Sequence, residues 1–167
     1  MDFQARICAA PLAGRLARHL FVCLLLGGSA AVPAAEPLEA QRPPVDIAPL
    51  PALGPEWLAT NPYRNNAEAA AIGRQLFNSA CAACHGPDGD NRQHVGPDLL
   101  RLHRGCRKLA DAPTKARCMA DVDAYFVKSV RHGKSILDVT HMPAWDGVLN
   151  QESIWAIKRF LESRSAL

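Results

Sequence analysis

The segment Cys81-Ala82-Ala83-Cys84-His85 constrains this chain more than any other, because it places two thiols and an imidazole in five consecutive residues. The next dozen residues are rich in glycine and proline, which favours irregular structure over a long helix or strand; they include Gly86, Pro87, Gly89, Gly96 and Pro97. Three chemistries use such a motif: a disulfide redox pair, a zinc site and a covalently attached haem. The structural context of the motif distinguishes them.

Apolar residues recur at helical spacing in three stretches, which predicts helices over Ala67–Ala80, Asp121–Arg131 and Gln151–Glu162. The first follows Asn65-Asn66, which are good N-cap residues. Gly73 lies in the middle of this helix at a cost in helix propensity, so we expect another helix to cross it closely. No segment alternates as a strand does. The predicted fold class is therefore all-α, with three main helices and long loops around a large ligand.

This context favours the haem. A redox pair is expected after a strand in a βαβ unit, whereas here a helix precedes the motif. A structural zinc site needs four ligands, and Cys106 and Cys118 are too far apart to form a typical second pair. The C-x-x-C-H pattern is the attachment signature of c-type haem. It predicts thioether bonds from Cys81 and Cys84, with His85 as the proximal iron ligand. The motif occurs once, so we expect one haem c.

The first 35 residues have the order of a secretory signal peptide. Arg6, Arg15 and Arg18 precede a short apolar run, and small residues lead to a cleavage site expected between Ala31 and Ala35. Cleavage would remove three of the 19 basic and one of the 16 acidic residues, leaving a formal charge of +1. This balance gives no argument for nucleic-acid binding. The expected signal peptide predicts a periplasmic protein with no membrane span after cleavage.

Residues 36–62 form a proline-rich extension. Seven prolines in this stretch exclude long helices and favour extended chain. Its second half is more apolar than a simple linker, through Leu50, Leu53, Trp57 and Leu58. We expect that half to lie along the surface of the domain formed by residues 63–167.

From about Asn61 to Leu161 the chain resembles a class I c-type cytochrome. The resemblance rests on the order of Gly73 and Phe77 in the first helix, the motif that closes that helix, and the segment Gly96-Pro97-Asp98-Leu99. It implies that the Pro97 carbonyl accepts a hydrogen bond from His85 and that Leu99 packs on the haem. It also implies an aromatic residue of the last helix against the first, for which Phe160 is the first candidate and Trp155 the second.

The sixth iron ligand is expected to be Met142. Met1 leaves with the signal peptide, and Met119 lies on the apolar stripe of the second helix. Met142 precedes Pro143, which favours extended backbone, and class I cytochromes present their axial methionine in such a segment. The neighbouring His141 is the competing ligand. The remaining histidines are interpreted as surface or hydrogen-bonding groups: His94, His103 and His132.

Cys106 and Cys118 lie outside the haem motif. In an exported protein they predict a disulfide, whose short loop would contribute about 3 kcal/mol to stability. Six basic residues cluster around them: Arg101, Arg104, Arg107, Lys108, Lys115 and Arg117. This cluster is either a solvated face or a docking patch for an acidic redox partner.

With both axial positions filled, the iron exchanges an electron and has no site for substrate, so we expect an electron-transfer protein and not an enzyme. The chain most resembles the cytochromes c-550 of quinoprotein ethanol oxidation. This implies a PQQ-dependent alcohol dehydrogenase as donor and a terminal oxidase or another cytochrome as acceptor. Two alternatives stay open. One is a haem subunit of a larger oxidoreductase; the other is a peroxidase or gas-binding protein with a displaceable Met142, in which Arg131-His132 would assist.

Overall fold

A computed structural model describes residues 39–165. Five α-helices and one small hairpin make up its regular structure, in agreement with the predicted cytochrome-like all-α class. The expected signal peptide, 1–35, and the first residues of the proline-rich extension lie outside the described residues. Within 39–165, no helix has the length and apolar character needed to cross a membrane.

Helix α1 spans Ala67–Ala80, as predicted. The side chain of Asn66 caps it by accepting a hydrogen bond from the backbone N–H of Ala69 at 2.9 Å. The buried face contains Ala69, Ile72, Gly73, Leu76 and Phe77. This face packs on the last helix, α5, which spans Gln151–Ser165.

Gly73 makes the crossing of α1 and α5 possible. A Cβ atom at this position would lie 1.9 Å from the carbonyl oxygen of Ala156 and 2.9 Å from the backbone nitrogen of Ile157. The expected close crossing is therefore present, with α5 backbone directly opposite the glycine. One turn further along, the rings of Phe77 and Phe160 lie 5.5 Å apart between centroids. Phe160, the first of the two candidates, is thus the aromatic residue that contacts α1.

The second half of the proline-rich extension lies along α5. Glu152 and Gln151 accept hydrogen bonds from the backbone N–H groups of Leu53 and Leu58, at 2.9 and 3.3 Å. Gln151 also donates to the carbonyl of Glu56 at 2.9 Å. Leu50 and Tyr63 are buried in the core beneath this segment. This cover explains why α5 is buried on nearly every side.

Helix α2, Ala82–His85, and helix α3, Arg104–Arg107, are single turns. Helix α4 spans Ala112–His132 and so begins well before the predicted Asp121. Asp111 caps it by accepting from the N–H of Thr114 at 2.8 Å. The first turns of α4 are exposed, so they show no apolar periodicity in the sequence. That is why the predicted helix was too short.

The prediction that no strand is present was wrong. Strands β1, Lys134–Ile136, and β2, Val139–Met142, pair antiparallel with Ser135 opposite Thr140 and Ile136 opposite Val139. Apart from Met142 at its end, which is half-buried, the hairpin is exposed on both faces. Apolar and polar residues alternate along a strand only when one of its faces is buried, so this hairpin leaves no alternating pattern in the sequence.

Candidate haem site

The C-x-x-C-H motif forms its own helical turn at the end of α1. Cys81 donates its N–H to the carbonyl of Phe77 at 2.8 Å, and His85 donates to the carbonyl of Cys81 at 3.0 Å. Cys81 and Cys84 are half-buried free thiols three residues apart in this turn, so they lie on the same side of it. Burial, together with the neighbouring Cys84, raises the pKa of the Cys81 thiol to about 12. A redox-active dithiol has a lowered pKa instead.

The imidazole of His85 is buried and fixed in orientation. Its Nδ1 lies 3.0 Å from the carbonyl oxygen of Pro97. A carbonyl only accepts, so Nδ1 carries the proton and donates it. When the ring is neutral, a proton on Nδ1 leaves the Nε2 lone pair free to ligate a metal. The structure thus places the proximal ligand candidate and Pro97 in the relation that the sequence resemblance implies.

Gly96 brings the Pro97 carbonyl to His85. A Cβ atom on Gly96 would lie 2.6 Å from Nδ1 of His85 and 2.7 Å from the carbonyl oxygen of Cys84. The Gly96 N–H donates to that carbonyl of Cys84 at 2.7 Å, and Asn91 donates to the Gly96 carbonyl at 3.2 Å. The loop therefore closes directly on the motif, with no room for a larger residue at this position.

The same loop is tied back to α1 by an ion pair. Arg74 donates to both carboxylate oxygens of Asp88, at 2.8 and 2.7 Å, and Asn78 donates at 2.7 Å. Hydrogen bonds from these two side chains lower the pKa of Asp88 to about 2. Leu99 ends this stretch as the first residue of a 3-10 turn, Leu99–Arg101, capped by Asp98.

Met142 lies at the end of β2 and is half-buried. Gly133, which ends α4 with φ of 66°, allows the backbone to approach it: a Cβ there would lie 2.4 Å from the Met142 carbonyl oxygen. Beyond Met142 the chain stays attached to α4, because Trp145 donates to the carbonyl of Val130 at 3.0 Å. Arg131 adds a paired contact to Asp146, at 2.8 and 3.2 Å.

The structure packs residues from three parts of the predicted site against one hydrophobic core. Cys81 from the motif, Leu99 from the following loop and Met142 from the hairpin all contact it. The competing ligand His141 is exposed, and Met119 is half-buried on α4. Contact with the core therefore distinguishes Met142 from His141 and Met119 as the candidate ligand.

A second group of metal-ligating side-chain types surrounds a lysine. His103 Nε2, Asp123 Oδ1 and Glu162 Oε1 lie 2.5, 2.6 and 3.2 Å from Lys158 Nζ. Burial, with the neighbouring Lys158 ammonium, lowers the pKa of His103 to about 4, so its neutral ring accepts from the lysine. This cluster joins α4, α5 and the loop before α3. Its cations are Lys158 and Arg64, each of which pairs with both Asp123 and Glu162. The sequence identified His103 only as a hydrogen-bonding candidate.

The site offers a donor set suited to haem c. It consists of two free thiols on one turn, the imidazole of His85 with Nδ1 hydrogen-bonded, and the thioether of Met142 in contact with the core. The close approach of Gly96 supports this fit, because it lets the Pro97 carbonyl accept from Nδ1 of His85 and so fix the ring by the nitrogen that does not ligate. Residues 68–161 match the family described as "Cytochrome C oxidase, cbb3-type, subunit III". This match covers more than half of the chain. The chain belongs to the class I c-type cytochromes.

Two curated relatives agree with this family. Cytochrome c550 of Pseudomonas aeruginosa is 33% identical over 123 residues, covering 71% of this chain and 74% of that protein. Cytochrome c6 of Chlorolobion braunii is 27% identical over 96 residues, covering 58% of this chain and 91% of that protein. No solved structure matches the chain at a significant level. Like these relatives, the cytochrome is an electron-transfer protein with covalent haem c, which supplies one-electron chemistry.

Sequence reasoning missed the groups that hold these candidates in place. Apolar periodicity predicted the end of α4 at Arg131, one residue before its observed end at His132, but it did not indicate that Gly133 and Arg131 contact the segment after Met142. A glycine directly after His132 was a usable signal, because helices commonly end at glycine. The pairing of Arg74 with Asp88 has no such signal.

Proposed function

We propose that this cytochrome is a periplasmic mono-haem carrier that accepts electrons from a PQQ-dependent alcohol dehydrogenase and delivers them to a terminal oxidase or another cytochrome. His85 and Met142 are the proposed axial ligands, and Cys81 and Cys84 the attachment sites. Support for a carrier comes from the packing of Cys81 and Met142 against one core and from the burial of His85 in the turn that Cys81 begins. A protein that fills both axial positions leaves no coordination site for substrate.

The exposed basic segment between Arg101 and Arg117 supports an acidic partner. The structure joins Cys106 and Cys118 by a disulfide with a Cα–Cα distance of 5.5 Å, which fixes α3 against the start of α4. All six basic side chains around it are exposed. Of these six residues, only Arg101 has an ion-pair partner within the described part of the chain, Asp98 at 3.7 Å. The segment therefore presents largely uncompensated positive charge on a cross-linked support, which suits electrostatic steering.

Two alternative functions make different predictions. The matched family is described as an oxidase subunit, which favours the first alternative, a haem subunit of a larger oxidoreductase. Such a subunit would copurify with its complex, whereas a free carrier would not. A peroxidase or gas-binding protein would bind carbon monoxide in the native ferrous state, whereas a carrier with Met142 bound would not.

Stopped-flow mixing of reduced PQQ-dependent alcohol dehydrogenase with the oxidised cytochrome tests the proposal. We expect a rate that falls with salt as the Debye length shrinks to about 10 Å. Arg104→Glu/Arg107→Glu should weaken that salt dependence. The matched control is Lys128→Glu/Arg164→Glu, which makes the same charge change at two exposed positions outside the basic segment. A wild-type rate no faster than that of an unrelated cytochrome c contradicts the donor assignment but leaves the carrier assignment intact.

A further inference from the structure

One aromatic ring of the proline-rich extension reaches the chain that follows Met142. The guanidinium carbon of Arg131, near the end of α4, lies 4.3 Å from the centre of the Trp57 ring. The same guanidinium binds both carboxylate oxygens of Asp146, at 2.8 and 3.2 Å. The extension, α4 and the chain after Met142 therefore meet at a single arginine.

The chain from Met142 to Asp146 is fixed to the C-terminal end of α4 at both of its ends. At the first end, a Cβ atom on Gly133 would lie 2.4 Å from the Met142 carbonyl oxygen, so the two backbones are in direct contact. At the second end, the backbone N–H of Asp146 donates to the carbonyl of Arg131 at 3.1 Å. Only four residues separate Asp146 from Met142, so a displacement of Asp146 from α4 also displaces the proposed ligand.

Trp57 covers one side of the ion pair that holds Asp146. The Arg131 side chain is 26% exposed, whereas that of Arg74, which makes the same paired contact with Asp88, is 60% exposed. An exposed ion pair contributes little, because solvent screens it and the arginine must be ordered to form it. An aromatic face attracts a guanidinium, and the attraction grows as solvent is excluded. Trp57 thus orders Arg131 for its contact with Asp146.

The position of Trp57 is itself set by the start of α5. On one side of the tryptophan, the Glu56 carbonyl accepts from the Gln151 side chain at 2.9 Å. On the other side, the N–H of Leu58 donates to the same side chain at 3.3 Å. Trp57 is half-buried and packs against the hydrophobic core. The ring is therefore a fixed support against which Arg131 rests.

We propose that Trp57 is a positioning residue for Met142, and that it acts through Arg131 and Asp146. This rests on the proposed function, in which Met142 is the second axial ligand. Trp57 precedes residues 68–161, the part of the chain that matches the family, so the support belongs to the extension and not to the matched domain. While the ring is in place, Arg131 stays paired with Asp146 and the thioether stays on the iron. Without the ring, the thioether leaves more often.

Imidazole competition in the ferric holoprotein measures how often Met142 leaves the iron. Imidazole binds only while the thioether is off, so its apparent Kd is the intrinsic Kd divided by the fraction of open molecules. Loss of the far-red methionine–iron band follows the exchange. Met142→Ala gives the intrinsic Kd, because imidazole then has no thioether to displace.

Trp57→Leu removes the aromatic face but keeps apolar bulk, and should lower the apparent Kd for imidazole about fivefold. Trp57→Phe keeps an aromatic face and should stay within about twofold of wild type. The matched control is Leu53→Ala, because Leu53 is a half-buried residue of the extension that packs against the same core and is bonded to Glu152 of α5. This control should unfold at a lower guanidinium concentration than wild type, yet change the apparent Kd less than about twofold. An equal fall in apparent Kd for Leu53→Ala and Trp57→Leu would overturn the proposal.

Arg131→Gln separates a role through the guanidinium from a role in packing. On its own it should lower the apparent Kd at least as much as Trp57→Leu, and it decides the proposal if Trp57→Leu does not fold. In the Arg131→Gln background, Trp57→Leu should have little further effect, because the ring acts through the guanidinium. A fall of about fivefold in both backgrounds, or an Arg131→Gln protein that binds imidazole as weakly as wild type, would overturn the proposal.

Met142→Ala distinguishes failure of this inference from failure of the proposed function. If Met142→Ala keeps the far-red band, Met142 is not the ligand and both are overturned. If Met142→Ala loses the band while Trp57→Leu and wild type bind imidazole equally, the ligand and carrier assignments stand and the role of Trp57 alone is overturned.

Discussion

Two segments of this cytochrome carry the proposed iron ligands, and they are held in place by similar devices. The proximal segment runs from Cys81 to Leu99, and the distal segment from Gly133 to Asp146. In each, a glycine lets backbone approach the ligand-bearing residue: Gly96 beside His85, and Gly133 beside Met142. In each, an arginine of a neighbouring helix binds both carboxylate oxygens of one aspartate.

The two segments differ in the sequence distance between each proposed ligand and the groups that hold it in place. His85 and the Pro97 carbonyl are 12 residues apart, and the loop between them closes on itself. Met142 depends instead on the C-terminal end of α4, whose own position depends on packing and on the disulfide near its start. The proximal segment is thus nearly self-contained, whereas the distal segment takes its position from a long helix. The comparison predicts that disturbance of α4 reaches Met142 before it reaches His85.

The largest expected effect is that of Met142→Ala. Loss of the thioether should abolish the far-red methionine–iron band of the ferric protein and open the ferrous protein to carbon monoxide, while His85 stays bound. Optical spectra with and without carbon monoxide measure both effects. Met119→Ala and His141→Ala are the controls. A band that survives Met142→Ala and disappears in either control assigns the ligand to that other residue.

The same difference explains how much the sequence could predict. The bounds of α1 and the close crossing at Gly73 follow from short-range patterns, namely a cap, a glycine and helical periodicity. The contact of Phe160 with α1 was implied by the family resemblance. The start of α4 and the hairpin show no apolar periodicity, because their exposed residues need not be apolar. Asp111, a capping residue followed closely by Pro113, was a local signal for the start of α4 that periodicity did not support. Met142 was identified through the Met-Pro segment in which class I cytochromes present their axial methionine, and the ligand assignment stays a prediction. Its support from Gly133 and Arg131 needed the structure.

Substitution of the two glycines should separate the segments. Gly133→Ala places a Cβ against Met142 backbone at a positive φ that favours glycine, and should lower the free energy of unfolding by about 4 kcal/mol. Gly96→Ala meets the edge of the His85 ring and should cost about 2 kcal/mol. Guanidinium unfolding of the ferric proteins measures both.

The far-red band then tests the assignment of each glycine to its segment. Gly133→Ala should weaken the band well before the fold is lost, whereas Gly96→Ala should retain it under the same conditions. A band that is lost equally in both variants would show that the two segments respond as one unit, against the comparison drawn above.

The disulfide should influence the distal segment through α4. Cys106→Ser/Cys118→Ser removes a cross-link that closes a short loop, and should lower the free energy of unfolding by about 3 kcal/mol. The far-red band should be unchanged without denaturant, and it should be lost at a lower guanidinium concentration than in wild type, before the helical signal changes. Thiol titration of the unfolded, unreduced wild type should find neither Cys106 nor Cys118 reactive. Two reactive thiols in that experiment would contradict the disulfide.

The smallest expected effect concerns the ion pair of the proximal segment. Arg74 and Asn78 lower the pKa of Asp88 to about 2, below the value of about 3.9 expected for an unfolded chain. The ionised carboxylate therefore stabilises the fold fully above about pH 4, and this contribution is lost as the pH falls toward 2. Because the pair is largely exposed, solvent screens it and its contribution is small. Asp88→Asn should remove that part of the acid dependence.

Asp146→Asn, the matched change in the distal segment, removes a carboxylate whose pKa is also lowered by its arginine, Arg131. Acid titration followed by the far-red band and by circular dichroism distinguishes the two: only Asp146→Asn should alter the band before the helical signal changes. If Asp88→Asn alters it equally, the loop that holds His85 is coupled to Met142, and the proximal segment is less self-contained than its contacts indicate.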